Sequence, residues 1–189
     1  TSQQAGGPPP PRASTEVAGS VCETHALAEE HHTLTSRIGA IEDGAPTNYQ
    51  DESWTILLNK LKTYRAEVDV TYRFVVANCK AYSLCMQAHG YSEPDCMSSR
   101  SEWTRSHEKF NQLALDLARE LPRARATALE GLALVQAAVG NHALAIGWFT
   151  ERDRMPWSET STGRAAEMRH RLEKARSLFH LDRDRQAVV

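Results

Sequence analysis

The most restrictive feature of this sequence is a regular spacing of apolar residues that continues without interruption over residues 54–86. This spacing alternates between three and four residues, which places every member on one face of an α-helix and fits no β-strand. So long a stripe predicts a helix packed lengthwise against other helices, as in a coiled coil, and not a globin-like arrangement. Its members are Trp54, Leu57, Leu61, Tyr64, Val68, Tyr72, Val75, Cys79, Tyr82 and Met86.

The same spacing predicts a helix on either side of this long one. The first runs from about residue 14 to residue 43 and is ended by Gly44 and Pro46. The long helix starts after Asp51, a suitable N-cap, and ends at Gly90. Ser99 and Glu102 have the spacing of a capping box, which predicts the start of a third helix. The apolar stripe of the first helix comprises Leu27, His31, Leu34, Ile38 and Ile41.

Three more helices are expected in the second half of the chain. Pro122 suits the first turn of a helix, so the third helix is predicted to end at Leu121 and a fourth to cover 122–139. A fifth covers about 141–151, and a last one ends near His180. No period-two alternation is present, so the predicted class is all-α. The stripe of the last helix is Ala165, Met168, Leu172, Ala175 and Phe179.

Length and composition restrict the domain organisation. The 189 residues, 41% hydrophobic and 24% charged, exclude collagen-like, wholly disordered and polytopic membrane classes, and the net charge of −2 argues against nucleic acid as a partner. Residues 1–13 are expected to be a disordered proline-rich spacer, 14–180 a single helical domain, and 181–189 a frayed tail. Such a spacer is compatible with membrane tethering through a removed or unseen N-terminal anchor. Residues 131–150 lack charges, but Gly140, Asn141 and His142 mark a turn there, so no transmembrane helix is predicted.

Residues 126–152 resemble one tetratricopeptide repeat. Leu132 and Ala133 match its first helix, Gly140 its turn, and Ala145 and Phe149 its second helix. The chain departs from the pattern at Gln136, which replaces the central aromatic residue, and at Pro156, one residue before the closing proline. The resemblance implies a packed helix pair. Because stable arrays usually contain three or more units, a simple αα-hairpin is the alternative.

The cysteines predict two disulfides. Cys85 and Cys96 lie symmetrically about the turn at Gly90, so an antiparallel hairpin brings them together. Folding the first helix onto the second leaves Cys22 about 9 Å from Cys79 along the helix axis, an offset that a tilt can absorb. Two bridges would indicate an extracytoplasmic location: periplasm, secreted space or cell surface. The alternative is reduced thiols in a cytosolic bundle.

Several residue sets have the spacing of metal ligands. Glu29 and His32, and again Glu167 and His170, have the Glu-x-x-His spacing of di-iron bundles, but each pair is expected to face water. Two further sets could bind a soft ion if their thiols were reduced. We therefore expect no metal or cofactor, and keep a periplasmic metal-binding or metal-sensing bundle as the alternative function. The two sets are Cys22, His25, Glu29 and His32, and Cys85, Met86, His89, Cys96 and Met97.

Nothing in the sequence predicts an enzyme. There is no Gly-x-Ser-x-Gly elbow, phosphate-binding loop or zinc-finger spacing. Trp148, Phe149 and Trp157 could line a groove for a protein partner, or fill a core. The expected function is that of a non-enzymatic extracytoplasmic interaction or adaptor protein, either an assembly or secretion accessory or an inhibitor or immunity protein.

The last helix is the most basic element of the chain. Its cations either form a solvated helix face or bind an acidic partner or lipid headgroups. They are Arg164, Arg169, Arg171, Lys174 and Arg176.

Overall fold

The computed structural model describes residues 22, 25–44, 52–90, 93–156 and 163–187. Over these ranges it contains helices and no strand, which confirms the all-α class. The helices are α1 (His25–Asp43), α2 (Glu52–Ala88), a short 3-10 turn (Pro94–Cys96), α3 (Met97–Ala138), α4 (His142–Asp153) and α5 (Arg164–Ala187). Residues 1–13 lie outside the described ranges, and α5 continues past His180 to Ala187.

Helices α2 and α3 form a long antiparallel pair. Lys60 donates to Glu120 across 2.9 Å, whereas farther along α2 the amide of Asn78 reaches the carbonyl of Glu102 at 3.5 Å. Helix α1 is antiparallel to α2 in the same way. Its C-terminal Glu42 pairs with Arg65 at 2.5 Å, and His31, nearer the N-terminus, bonds to Asp69 at 2.7 Å.

The core of this three-helix bundle is the predicted stripe and its counterparts on α1 and α3. Tyr64 and Tyr72 pack at its edge. Helix α2 ends at Ala88, two residues before the predicted Gly90, and Gly90 has the left-handed φ of +62° that lets the chain turn. The buried members include Leu34, Ile38, Trp54, Leu57, Leu61, Val68, Val75, Phe110, Leu117 and Leu121.

Two predicted boundaries in the middle of the chain are wrong. Helix α3 is continuous from Met97 to Ala138 and contains Pro122, which no longer starts a separate helix. A proline inside a helix costs one hydrogen bond, but Leu121, Ala124 and Ala128 are buried in the same core on both sides of it. Packing therefore outweighs the lost bond. Ser99 lies inside α3, because the 3-10 turn starts the helix earlier.

Both predicted disulfides are present. Cys22, which precedes α1, is bonded to Cys79 of α2 with a Cα–Cα distance of 5.5 Å, and Cys85 and Cys96 close the α2–α3 turn with a distance of 5.8 Å. Paired cysteines of this kind indicate an oxidising, extracytoplasmic environment. Within the described ranges, no helix is long and apolar enough to cross a bilayer.

Replacing both Cys85 and Cys96 by Ser should lower the free energy of unfolding by about 2–3 kcal/mol in oxidising buffer, since the bridge closes a short loop in the unfolded chain. The measurement is urea denaturation followed by circular dichroism. With excess dithiothreitol, the variant and the parent protein should unfold alike. A parent protein whose stability is indifferent to the reductant would contradict this expectation.

The second half of α3, then α4 and α5, extend the bundle as a stack of consecutive helices. Asn141 caps α4, its side chain accepting from the amide of Leu144. Ala133 of α3 packs with Ala145 and Phe149 of α4 in a second, smaller core. Helix α4 in turn packs against α5, whose contacts with α3 are few. The stack therefore leaves the far side of α5 uncovered within the described part of the chain.

Candidate functional site

Helix α5 is turned opposite to the orientation that its apolar pattern predicts. Met168, Leu172 and Phe179 are 71%, 52% and 62% exposed, whereas His170 and Ser177 are fully buried. The expectation that Glu167 and His170 face water is therefore wrong. Glu29 and His32, the corresponding pair on α1, are exposed as expected.

The last turn of α4 explains this orientation. Arg152 is buried there, and it donates to Glu167 of α5 across 2.8 Å. The neighbouring Asp153 bonds to His170 at 2.7 Å and accepts from Lys174 at 2.6 Å. A buried guanidinium without a counter-charge is strongly unfavourable. These pairs therefore hold the polar face of α5 inward.

Two carboxyl groups at this interface have shifted pKa values. Partial burial raises the pKa of Asp153, but the hydrogen bonds from Lys174 and His170 together have a larger, opposite effect. The pKa of Asp153 therefore lies below its usual value. Burial dominates at Glu130 of α3 and raises its pKa, although Arg152 and His170 oppose the shift.

The His170–Asp153 pair does not form an accessible catalytic site. His170 is fully buried, and its Nδ1 has no hydrogen-bond partner among the described residues, as is also true of Nε of Arg152. Phe149 packs edge-on against the imidazole, with ring centroids 5.1 Å apart. A solute cannot contact His170 through this packing. The pair therefore orients α5 on α4.

The outward side of α5 is what this orientation exposes. We call it the outer stripe: Ala165, Met168, Leu172, Ala175 and Phe179, all of them exposed. At about 100° per residue they occupy an arc of roughly 80°. That arc lies opposite the buried His170 and Ser177.

Arginines border the outer stripe on both sides. Arg164 and Arg171 lie along one edge, and Arg169 and Arg176 along the other. Arg171 bonds to Glu167 at 3.3 Å and Arg176 to Glu173 at 2.8 Å, yet both guanidinium groups stay largely exposed. The result is a narrow apolar stripe between two basic edges.

The predicted aromatic cluster is divided by the structure. Phe149 is fully buried, so it fills the core and cannot line a groove. Trp148 is half-buried and lines a cavity of about 790 Å³ between α1, α3 and α4, which Arg37, Arg125 and Arg154 also line. Trp157 lies outside the described residues.

The sets proposed as metal ligands do not assemble. All four cysteines are in disulfides, so no thiolate is left for a soft ion. Cys22 is buried and does not share an exposed face with Glu29 and His32, contrary to expectation. In the described ranges, no group of three or more His, Cys, Asp or Glu side chains could hold a metal ion.

No protein-family model, curated protein or solved structure matches the chain.

Sequence reasoning did not predict that the outer stripe is an exposed surface. The available signal was the charged Arg152 and Asp153 at the end of the largely apolar α4, which require charged partners on the next helix.

Proposed function

We propose that this protein is a non-enzymatic extracytoplasmic adaptor that binds a protein partner through the outer stripe of α5. One observation carries the proposal: Met168, Leu172 and Phe179 stand in solvent on a helix whose opposite face is held inward by buried ion pairs. Large apolar side chains aligned on one exposed face are typical of an interaction surface.

The rest of the fold serves as a rigid support for that surface. In the proposal, the end of α3 and α4 form the tetratricopeptide-like pair, with α5 as the first helix of an incomplete second unit. A helix stack of this kind needs a cover on its terminal helix. The disulfides and buried ion pairs preorganise α5, which lowers the ordering cost of binding. The compartment would be periplasm, secreted space or cell surface, and the role that of an assembly or secretion accessory, or of an inhibitor.

A site-specific photo-crosslinker at position 172 tests this function. Leu115 of α3 is the matched control, because it is also a leucine and is 57% exposed against 52% for Leu172. In the source organism, crosslinker at 172 should yield a discrete protein adduct that is absent with crosslinker at 115. Adducts to lipid alone, or the same adducts from both positions, would contradict the proposal.

A further inference from the structure

We infer that the occupant of the outer stripe is an amphipathic α-helix of a partner protein, with Asp and Glu bordering its own apolar stripe. This inference rests on the proposed function and specifies its partner. It follows from the spacing of the outer stripe, from the charges beside it and from its place in the helix stack.

The spacing fits a helix better than a lipid surface. Successive members are separated by three, four, three and four residues, the repeat of a coiled-coil seam, whereas helices that lie on other apolar surfaces present a broader face. The stripe contains the small residues Ala165 and Ala175 beside the large Met168, Leu172 and Phe179. A facing helix can insert its own large side chains above the alanines, as knobs enter holes.

The charges beside the stripe select the partner. Arg164, Arg169, Arg171 and Arg176 occupy the positions that flank the seam of a two-helix pair, where charges of the two helices meet. A second copy of α5 would place arginine against arginine, which is repulsive. A helix with carboxylates at its own flanking positions can form ion pairs along both edges of the outer stripe. Arg171 and Arg176 each retain donors beyond their present ion pairs, because a guanidinium has five.

The place of α5 in the stack provides room for such a helix. Helix α4 packs on α3, and α5 packs on the side of α4. A helix on the outer stripe would lie directly opposite α4 across α5. It would cover the apolar side chains that the fold leaves exposed without disturbing the Arg152–Glu167 and Asp153–His170 pairs.

Two synthetic helical peptides test the inference on the purified, oxidised protein. Both contain about three heptads with leucine along the seam; the acidic probe has glutamate at the flanking positions and the basic probe has lysine. Binding is measured by fluorescence anisotropy. The acidic probe should bind at least about tenfold more tightly than the basic probe, and added salt should weaken it.

Variants assign the binding to the outer stripe. Leu172→Glu should weaken the acidic probe at least about tenfold, whereas Leu115→Glu should not. The double variant Arg164→Glu/Arg169→Glu, which spares the ion pairs of Glu167 and Glu173, leaves two arginines and two glutamates beside the stripe and should abolish the preference between probes. The far-ultraviolet circular dichroism of each variant should match that of the parent, because all four positions are exposed.

Three results would overturn the inference. The first is equal or inverted affinity for the two probes. The second is binding only to vesicles of phosphatidylcholine and phosphatidylglycerol, which would make a membrane the occupant. The third is a dimer in sedimentation that Leu172→Glu dissociates, which would make it a second copy. If the crosslinker at 172 still captures a protein while the acidic probe has no advantage, the adaptor function stands and the acidic-helix partner is wrong.

Discussion

Replacing Glu167 by Ala should lower the free energy of unfolding by up to about 3–5 kcal/mol, which is the usual cost of removing one partner of a buried ion pair. Arg152 is buried and its guanidinium donates to Glu167 across 2.8 Å. Without that carboxylate, the buried guanidinium keeps its charge with only the more distant carboxylate of Asp153, at 3.9 Å, as a counter-charge. Urea denaturation of the purified, oxidised protein measures the loss.

Glu173→Ala is the matched control on the same helix. Glu173 pairs with the exposed Arg176 three residues along α5, an arrangement that contributes about 0–1 kcal/mol. Leu172→Glu, which adds a carboxylate to the outer stripe, should change the free energy of unfolding by no more than about 0.5 kcal/mol, because the side chain of Leu172 is already exposed. Equal losses for Glu167→Ala and Glu173→Ala would show that the Arg152–Glu167 pair does not anchor α5.

Replacing Phe149 by Ala should lower stability by about 3–5 kcal/mol, since it removes a fully buried ring and leaves a cavity. The ring packs against Ala133 and Ala145, and its edge meets the imidazole of His170. Removing the ring therefore weakens both the packing of α3 on α4 and the packing of α5 on α4. Thermal and urea unfolding measure it.

Phe179→Ala is the control for this substitution, because it deletes the same ring from an exposed position. It should change stability by no more than about 0.5 kcal/mol, while weakening the acidic helical probe. A variant at Phe149 that kept full stability and lost only probe binding would place Phe149 in a binding surface and contradict the packing described above.

The three-helix bundle could be predicted from the sequence because its information is local and self-consistent. The alternating spacing over residues 54–86 predicts a single helix face, and that face is buried. Cys85 and Cys96 lie symmetrically about Gly90, so a hairpin that turns at Gly90 brings the two thiols together, and their bridge in turn supports the hairpin. The continuity of α3 through Pro122 could not be predicted, because it depends on packing against two other helices.

The orientation of α5 could not be predicted from its own residues. An apolar stripe normally faces inward, and Met168, Leu172 and Phe179 form one. What turns it outward lies on another helix: Arg152 and Asp153 at the end of α4 require Glu167, His170 and Lys174 as partners. Long-range electrostatic pairing overrides the local hydrophobic pattern here. The functional surface proposed for this protein is the consequence of that override.

The central claim is that α5 presents its apolar stripe to solvent, and hydroxyl-radical footprinting read by mass spectrometry tests it most directly. Phe179 and Phe149 are the same residue type in one chain, the first 62% exposed and the second fully buried. In the purified, oxidised protein, Phe179 and Met168 should be oxidised at rates close to those in the unfolded chain, while Phe149 stays protected. Protection of Phe179 and Met168 equal to that of Phe149 would contradict the claim.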